Sequence, residues 1–90
     1  MVSKEKVPYF LKFTLESLRV RKGWTQEKAA NELGMGRDKL RIYEKDSSKL
    51  EYETILKIEE IYNIPQDYIF FGNSTAFSVI LEKNEMEDNK

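Results

Sequence analysis

Three basic side chains and one acidic side chain lie close together after the middle turn of the chain and are of the types that contact nucleic acid. They are Arg37, Asp38, Lys39 and Arg41. In a helix these side chains would form a mostly basic outward ridge, since Leu40 and Tyr43 would occupy the inward face. Arginine and lysine donate hydrogen bonds to guanine and to phosphates, and a carboxylate accepts from the cytosine amino group. The ridge therefore predicts contact with a DNA groove.

Two short helices joined by a tight turn are predicted to position this ridge, in the layout of a helix-turn-helix. The first helix spans residues 25–33, and Gly34 after it can adopt the positive φ angle that a sharp turn requires. The second helix opens at Gly36 or Arg37 and runs to about Lys45. The side chains predicted to face inward from the two helices are Ala29, Ala30, Leu33, Leu40 and Tyr43.

Charge is distributed unevenly along the 90 residues, although the net charge is only −1. Residues 1–50 hold twelve basic and seven acidic residues, whereas residues 51–90 hold three basic and nine acidic ones. The two halves therefore carry net charges of +5 and −6. A basic half beside an acidic half favours a surface that binds a polyanion on one side of the domain.

The composition argues against enzymatic chemistry. The chain has no histidine, the commonest general base, and it has no cysteine and no glycine-rich phosphate loop. We therefore predict that it is not an enzyme and that it uses neither a cofactor nor a metal ion. No apolar run approaches the ~18 residues of a membrane span, so we expect no membrane partner. The lack of cysteine fits a cytoplasmic location.

The apolar spacing elsewhere predicts three further helices. These are 9–22, 53–62 and a short helix that begins at 64–65 and includes residues 68–70. We expect residues 1–72 to form one domain and residues 73–90 to form a C-terminal extension. Within 73–81, the apolar run 76–81 suits a strand, a sixth helix or a dimer contact, and the charged residues 82–90 are predicted to be disordered.

Short motifs between residues 15 and 71 resemble, in order and spacing, the Xre-type family, the helix-turn-helix domain shared by lambdoid phage repressors and Cro. They are Leu18-Arg19, Lys22-Gly23-Trp24-Thr25-Gln26, Ala30, Leu33-Gly34-Met35, Leu40, Glu44, Ile64 and Asp67-Tyr68-Ile69-Phe70. The resemblance implies an all-α, compact five-helix, lambda repressor-like DNA-binding domain with a short C-terminal extension. It also implies a small repressor that binds an operator in double-stranded DNA as a homodimer, with its third helix in the major groove.

The resemblance also implies roles for individual residues. Gln26 would donate a hydrogen bond to a phosphate, and Arg19 and Glu44 would form a partly buried ion pair between the first and third helices. The predicted DNA-binding residues are Gln26, Gly36, Arg37, Asp38, Lys39, Arg41, Lys22, Lys28 and Lys45. Gly36 stands where the family has a serine or threonine, so one hydroxyl contact with a phosphate is missing.

Two questions stay open on the residues alone. Asp38 either accepts a hydrogen bond from cytosine or pairs with Lys39 or Arg41 on its own helix. The second question is the function itself, because helix-turn-helix domains resembling this one also serve as antitoxins or adaptors. The acidic second half with the apolar segment 77–81 suits such a protein partner. That segment either covers its own core or pairs with a second subunit.

Overall fold

The computed structural model describes the backbone of residues 7–88 and the side chains of residues 7–82 except Tyr9. Within that part the chain is all-α, with no strand and only isolated β-bridges. The helices are α1 (Leu15–Arg21), α2 (Gln26–Leu33), α3 (Arg37–Lys45), α4 (Tyr52–Tyr62) and α5 (Ser74–Asp88). Two 3₁₀ turns, Tyr9–Leu11 and Gln66–Tyr68, precede α1 and follow α4. The predicted five-helix, all-α class is confirmed.

Threonine side chains fix where α1 and α2 begin. The hydroxyl of Thr14 accepts a hydrogen bond from the Ser17 N–H at 3.1 Å, and that of Thr25 accepts from the Lys28 N–H at 3.1 Å. Each bond satisfies one of the backbone donors that a helix leaves free at its N-terminus. Because the cap lies at Thr14, the predicted helix over 9–22 is wrong in its first part, which is a 3₁₀ turn followed by an extended segment.

A short parallel bridge between Phe13 and Ile69 joins the N-terminal segment to the C-terminal part of the fold. The Phe13 N–H donates to the Tyr68 carbonyl, and the Phe70 N–H donates to the Phe13 carbonyl, both at 2.8 Å. Both backbone groups of Phe13 are used in this way, so the residue cannot belong to a helix. The same bridge holds Ile69 extended, which is why the predicted short fifth helix is only a 3₁₀ turn.

The core lies where the first four helices meet the segment after the second 3₁₀ turn. Leu40, Ile58 and Ile69 are its largest fully buried side chains. The buried cluster consists of Leu15, Leu18, Ala29, Ala30, Leu33, Leu40, Ile58, Tyr62 and Ile69. Fully burying one large aliphatic side chain stabilises the fold by about 1.5–3 kcal/mol. The cluster therefore supplies the rigid base on which α2 and α3 stand.

The last helix packs on this base through one aromatic residue. Phe77 is buried, and its ring stacks on that of Phe70 with the centroids 4.3 Å apart. Asn73 caps the helix by accepting a hydrogen bond from the Ala76 N–H at 3.0 Å. Of the possibilities left open for the apolar run 76–81, the structure has a helix.

The same helix continues through Asp88, where the sequence predicted disorder from residue 82 onward. After Leu81 the chain is rich in glutamate and carries lysine and methionine, which are good helix formers and extend a helix that has already begun. The last two residues of the predicted tail, 89 and 90, lie outside the described residues.

Candidate nucleic-acid interface

The turn between α2 and α3 sets the direction of the basic helix. Gly34 ends α2 with a φ angle of +72°, and the Met35 N–H donates to the Ala30 carbonyl at 2.9 Å. A Cβ atom at Gly34 would lie 2.9 Å from the Lys57 Nζ. The backbone angle therefore favours glycine in this turn, as the sequence predicted, whereas the Lys57 ammonium lies at the end of a flexible side chain and can move aside.

The outward face of α3 is strongly basic. Leu40 and Glu44 are buried on its inward face. All five charged residues predicted for the interface on this helix are exposed, namely Arg37, Asp38, Lys39, Arg41 and Lys45. Among the described side chains, Asp38 has no ion-pair partner within 4.0 Å, so the local pair with Lys39 or Arg41 does not form.

A bidentate ion pair anchors the last turn of α3 to α1. Arg19 Nε donates to Glu44 Oε2 at 2.7 Å, and Arg19 Nη2 donates to Glu44 Oε1 at 3.2 Å. Arg19 Nη1 also donates to the Trp24 carbonyl at 3.0 Å, so the guanidinium is held from two sides. The side chains are 14% and 5% exposed. The hydrogen bonds to Glu44 raise the pKa of Arg19, although its burial acts in the opposite direction.

The amide of Gln26 belongs to the same network. Its Nε2 donates to Glu44 Oε1 at 3.0 Å, whereas the family resemblance assigns this side chain to a DNA phosphate. Gln26 also lines an open recess of about 550 Å³ between the first turns of α2 and α3, together with Arg19, Thr25, Glu27 and Arg37. Backbone N–H groups at the start of a helix favour an anion, and Arg37 adds a positive charge, while Glu27 opposes it.

The remaining predicted contacts, Lys22, Lys28 and Gly36, do not line this recess. Both lysines approach the Trp24 ring: the Nζ atom of Lys22 lies 5.2 Å from the ring centroid and that of Lys28 lies 5.8 Å from it. Lys28 also forms an ion pair with Glu32 at 3.0 Å. Gly36 opens α3 without a side-chain cap, and a Cβ atom there would meet no atom within 4 Å. The structure therefore has room for a serine or threonine side chain at this position, although the sequence has glycine.

The comparison with known proteins identifies this arrangement. The chain matches the helix-turn-helix domain family over residues 14–74, well over half of its length. It belongs to the helix-turn-helix family. A relative of this helix-turn-helix protein is the HTH-type transcriptional regulator ImmR of Bacillus subtilis (strain 168), which is 36% identical over 73 residues. The match covers 81% of this chain and 54% of that regulator, so the chain spans about half the length of the relative. The predicted Xre-type resemblance is confirmed.

One exposed residue of the helix-turn-helix was missing from the predicted interface. Ile42 lies on α3 and is 60% exposed. It stands two residues from each of the buried side chains, Leu40 and Glu44, and a helix turns about 100° per residue, so it points almost directly away from the core. That spacing was available in the sequence, but an apolar residue type suggests an inward position.

Two features are absent from the part of this helix-turn-helix protein that the structure describes, a cluster of metal ligands and a membrane-spanning helix. Within those residues no group of three histidine, cysteine, aspartate or glutamate side chains could hold a metal ion. None of the described helices has the length and apolar character that a bilayer span requires.

Proposed function

We propose that this helix-turn-helix protein binds double-stranded DNA at specific sequences and regulates transcription. The observation that carries the proposal is the outward face of α3, where four exposed basic residues surround one exposed carboxylate. That helix is held at a fixed angle by the buried Leu40 and by the Arg19–Glu44 pair. The name of the relative, a transcriptional regulator, supports the same role.

In the proposed mechanism α3 enters the major groove. Arg37 and Arg41 can each donate two hydrogen bonds to a guanine, and Asp38 can accept one from a cytosine amino group. Lys39, at one edge of the outward face, and Lys45, at the C-terminal end of the helix, contact phosphates. The start of α2 grips the backbone through its N–H groups, with Gln26 and Gly36 nearby and with Lys22 and Lys28 adding charge. The contacts with the DNA backbone set affinity and position, whereas Arg37, Asp38 and Arg41 read the sequence.

We further propose that the protein acts as a small repressor that covers its operator as a homodimer. Exposed apolar side chains support the dimer: Phe10 and Leu11 lie in the 3₁₀ turn that contacts α5, and Val79 is exposed on α5 itself. Two copies joined in this region would present two α3 helices to half-sites about one helical turn apart, or ~34 Å. Occupancy of the operator would block transcription.

Selection of genomic fragments with purified protein at about 150 mM salt tests the proposed function, followed by gel shifts of the enriched sequence. We expect an inverted repeat, and we expect Arg37→Ala to weaken binding by roughly 1–3 kcal/mol, or about five- to 150-fold. Arg21→Ala is the matched control, because it removes the same charge from an arginine that lies over the Phe13 ring and outside α3.

Equal losses in the two arginine variants, or salt-sensitive binding without any enriched sequence, would contradict sequence reading by α3. The dimer has its own test in sedimentation equilibrium of the wild type and of Val79→Glu, with and without the operator. A charge at Val79 should shift the protein toward monomer and flatten the cooperativity of operator binding. An unchanged mass in both states would argue against this surface.

A second candidate is a protein-interaction module of the antitoxin or adaptor kind. The same exposed apolar side chains favour it, together with the net charge of −6 over residues 51–90. The two candidates differ in DNA affinity at physiological salt. A protein that binds no DNA above the non-specific level, and whose Val79→Glu variant loses a captured partner of known identity, would fit the second candidate.

A further inference from the structure

The outward face of α3 contains one exposed apolar side chain among charged ones. Of the described α3 side chains that are exposed, Ile42 alone is uncharged. It contributes nothing to the buried core, since it lies on the opposite side of the helix from Leu40. An aliphatic side chain in this position stabilises the fold little. A contact with a ligand of the helix would give it a function.

If α3 lies in the major groove as proposed, Ile42 enters the groove, because its side chain points almost directly away from the core. Asp38 lies four residues earlier and Lys45 three residues later, so both are neighbours of Ile42 on one helix face. Arg37 and Arg41 lie toward one side of this face and Lys39 toward the other, according to the helical repeat. A branched apolar side chain is thus placed in the middle of charged ones.

We propose that Ile42 contacts the 5-methyl group of a thymine and thereby selects an A·T pair at one position of each half-site. This inference rests on the proposed function. Thymine is the base that presents an apolar group, its 5-methyl, on the major-groove edge. Cytosine has only a hydrogen at the same ring carbon, C5. Removing one methyl group from water between two apolar surfaces strengthens binding by about fourfold.

Deoxyuridine gives a direct test, because it pairs as thymine does and lacks only the 5-methyl group. Each thymine of the selected operator is replaced in turn by deoxyuridine, and the dissociation constant is measured for the wild type, Ile42→Ala and Val20→Ala. Val20 is a matched control, since it is 61% exposed on α1. Thermal unfolding of each variant checks the fold, which an exposed truncation should leave intact.

For the wild type and for Val20→Ala, we expect deoxyuridine at one position per half-site to weaken binding by about three- to fivefold. For Ile42→Ala, thymine and deoxyuridine at that position should bind equally. Sequence-specific binding with no position sensitive to the methyl group would overturn this inference and leave the proposed function standing. So would the same sensitivity in Ile42→Ala and the wild type. Absence of any preferred sequence would overturn both.

Discussion

The hydroxyl of Ser74 donates a hydrogen bond of 2.7 Å to the backbone carbonyl of Glu44, which joins the start of α5 to the last turn of α3. The carboxylate of the same glutamate is held by Arg19 from α1. Next to it, the Ser47 hydroxyl accepts from the Gly72 N–H at 3.0 Å, and the Ser47 N–H donates to the Gly72 carbonyl at 2.9 Å. The end of the basic helix is therefore fixed from two directions by groups that need never touch DNA.

Removal of one partner of the Arg19–Glu44 pair should destabilise the protein markedly. Glu44→Ala leaves the largely buried guanidinium of Arg19 without its carboxylate and removes the acceptor of the Gln26 amide. We therefore expect a loss of about 3 kcal/mol in the free energy of unfolding. Urea denaturation monitored by circular dichroism measures it.

The matched comparison is the Lys28–Glu32 pair, whose side chains are 52% and 40% exposed. Glu32→Ala should change the free energy of unfolding by less than about 1 kcal/mol, since water already solvates both charges. Losses of similar size for Glu44→Ala and Glu32→Ala would show that the inner pair contributes no more than a surface contact.

The packing of α5 on the domain rests on Phe77. Phe77→Ala removes a buried ring that stacks on the ring of Phe70. We expect a loss of about 3–5 kcal/mol in the free energy of unfolding. Val79→Ala on the exposed side of the same helix should change it by no more than about 0.5 kcal/mol. A protein that tolerates Phe77→Ala would place α5 outside the cooperative folding unit.

The phenol of Tyr62 should make stability depend on pH in the alkaline range. Its burial, with the nearby charge of Glu44, raises its pKa from 10.0 to about 12, while Arg19 acts in the opposite direction. The folded state therefore holds this proton more tightly than the unfolded chain does. The resulting stability is fully present below pH 10 and is lost as the pH rises to about 12, by at most roughly 3 kcal/mol.

Comparison of the wild type with Tyr62→Phe isolates this titration from that of the lysines and the other tyrosines. Unfolding free energies measured at intervals between pH 8 and pH 12 should fall less steeply for the phenylalanine variant. Parallel curves for the two proteins would mean that Tyr62 titrates with a similar pKa in both states.

The uncapped start of α3 offers a gain of stability. Gly36→Ser would supply a hydroxyl that can accept from the Lys39 N–H, in space that holds no atom within 4 Å of the new Cβ. We expect the free energy of unfolding to rise by about 0.3 kcal/mol, and we expect tighter DNA binding through a phosphate contact. Gly23→Ser is the matched opposite, because the φ angle of +74° there should make the same change destabilising by about 1 kcal/mol. Thermal unfolding distinguishes the two signs.

The features predicted well from the sequence were those determined by near neighbours. Thr25 as a cap, Gly34 as the turn and the 3.6-residue spacing of apolar side chains define α2 and α3 without reference to the rest of the chain. The fourth helix begins at Tyr52, one residue before the predicted start, for the same reason.

Several features that depend on distant contacts were not predicted, although the family resemblance implied the pair of Arg19 with Glu44. The late start of α1 and the 3₁₀ turn after α4 both follow from the pairing of Phe13 with Ile69, which no local pattern reveals. The hydrogen bond from Gln26 to Glu44 likewise depends on how α2 and α3 pack. Ile42 was missed for the opposite reason: residue type was given more weight than helical position.

The bridge between Phe13 and Ile69 also has a consequence for the order of folding. The contacts between α2 and α3 join residues close in sequence, whereas this bridge closes a loop that contains α1 through α4. Closing so long a loop costs chain entropy before its contacts compensate. We therefore expect the helical hairpin to form early and the ends of the domain to close last, so that mutations at Ile69 speed unfolding more than they slow folding.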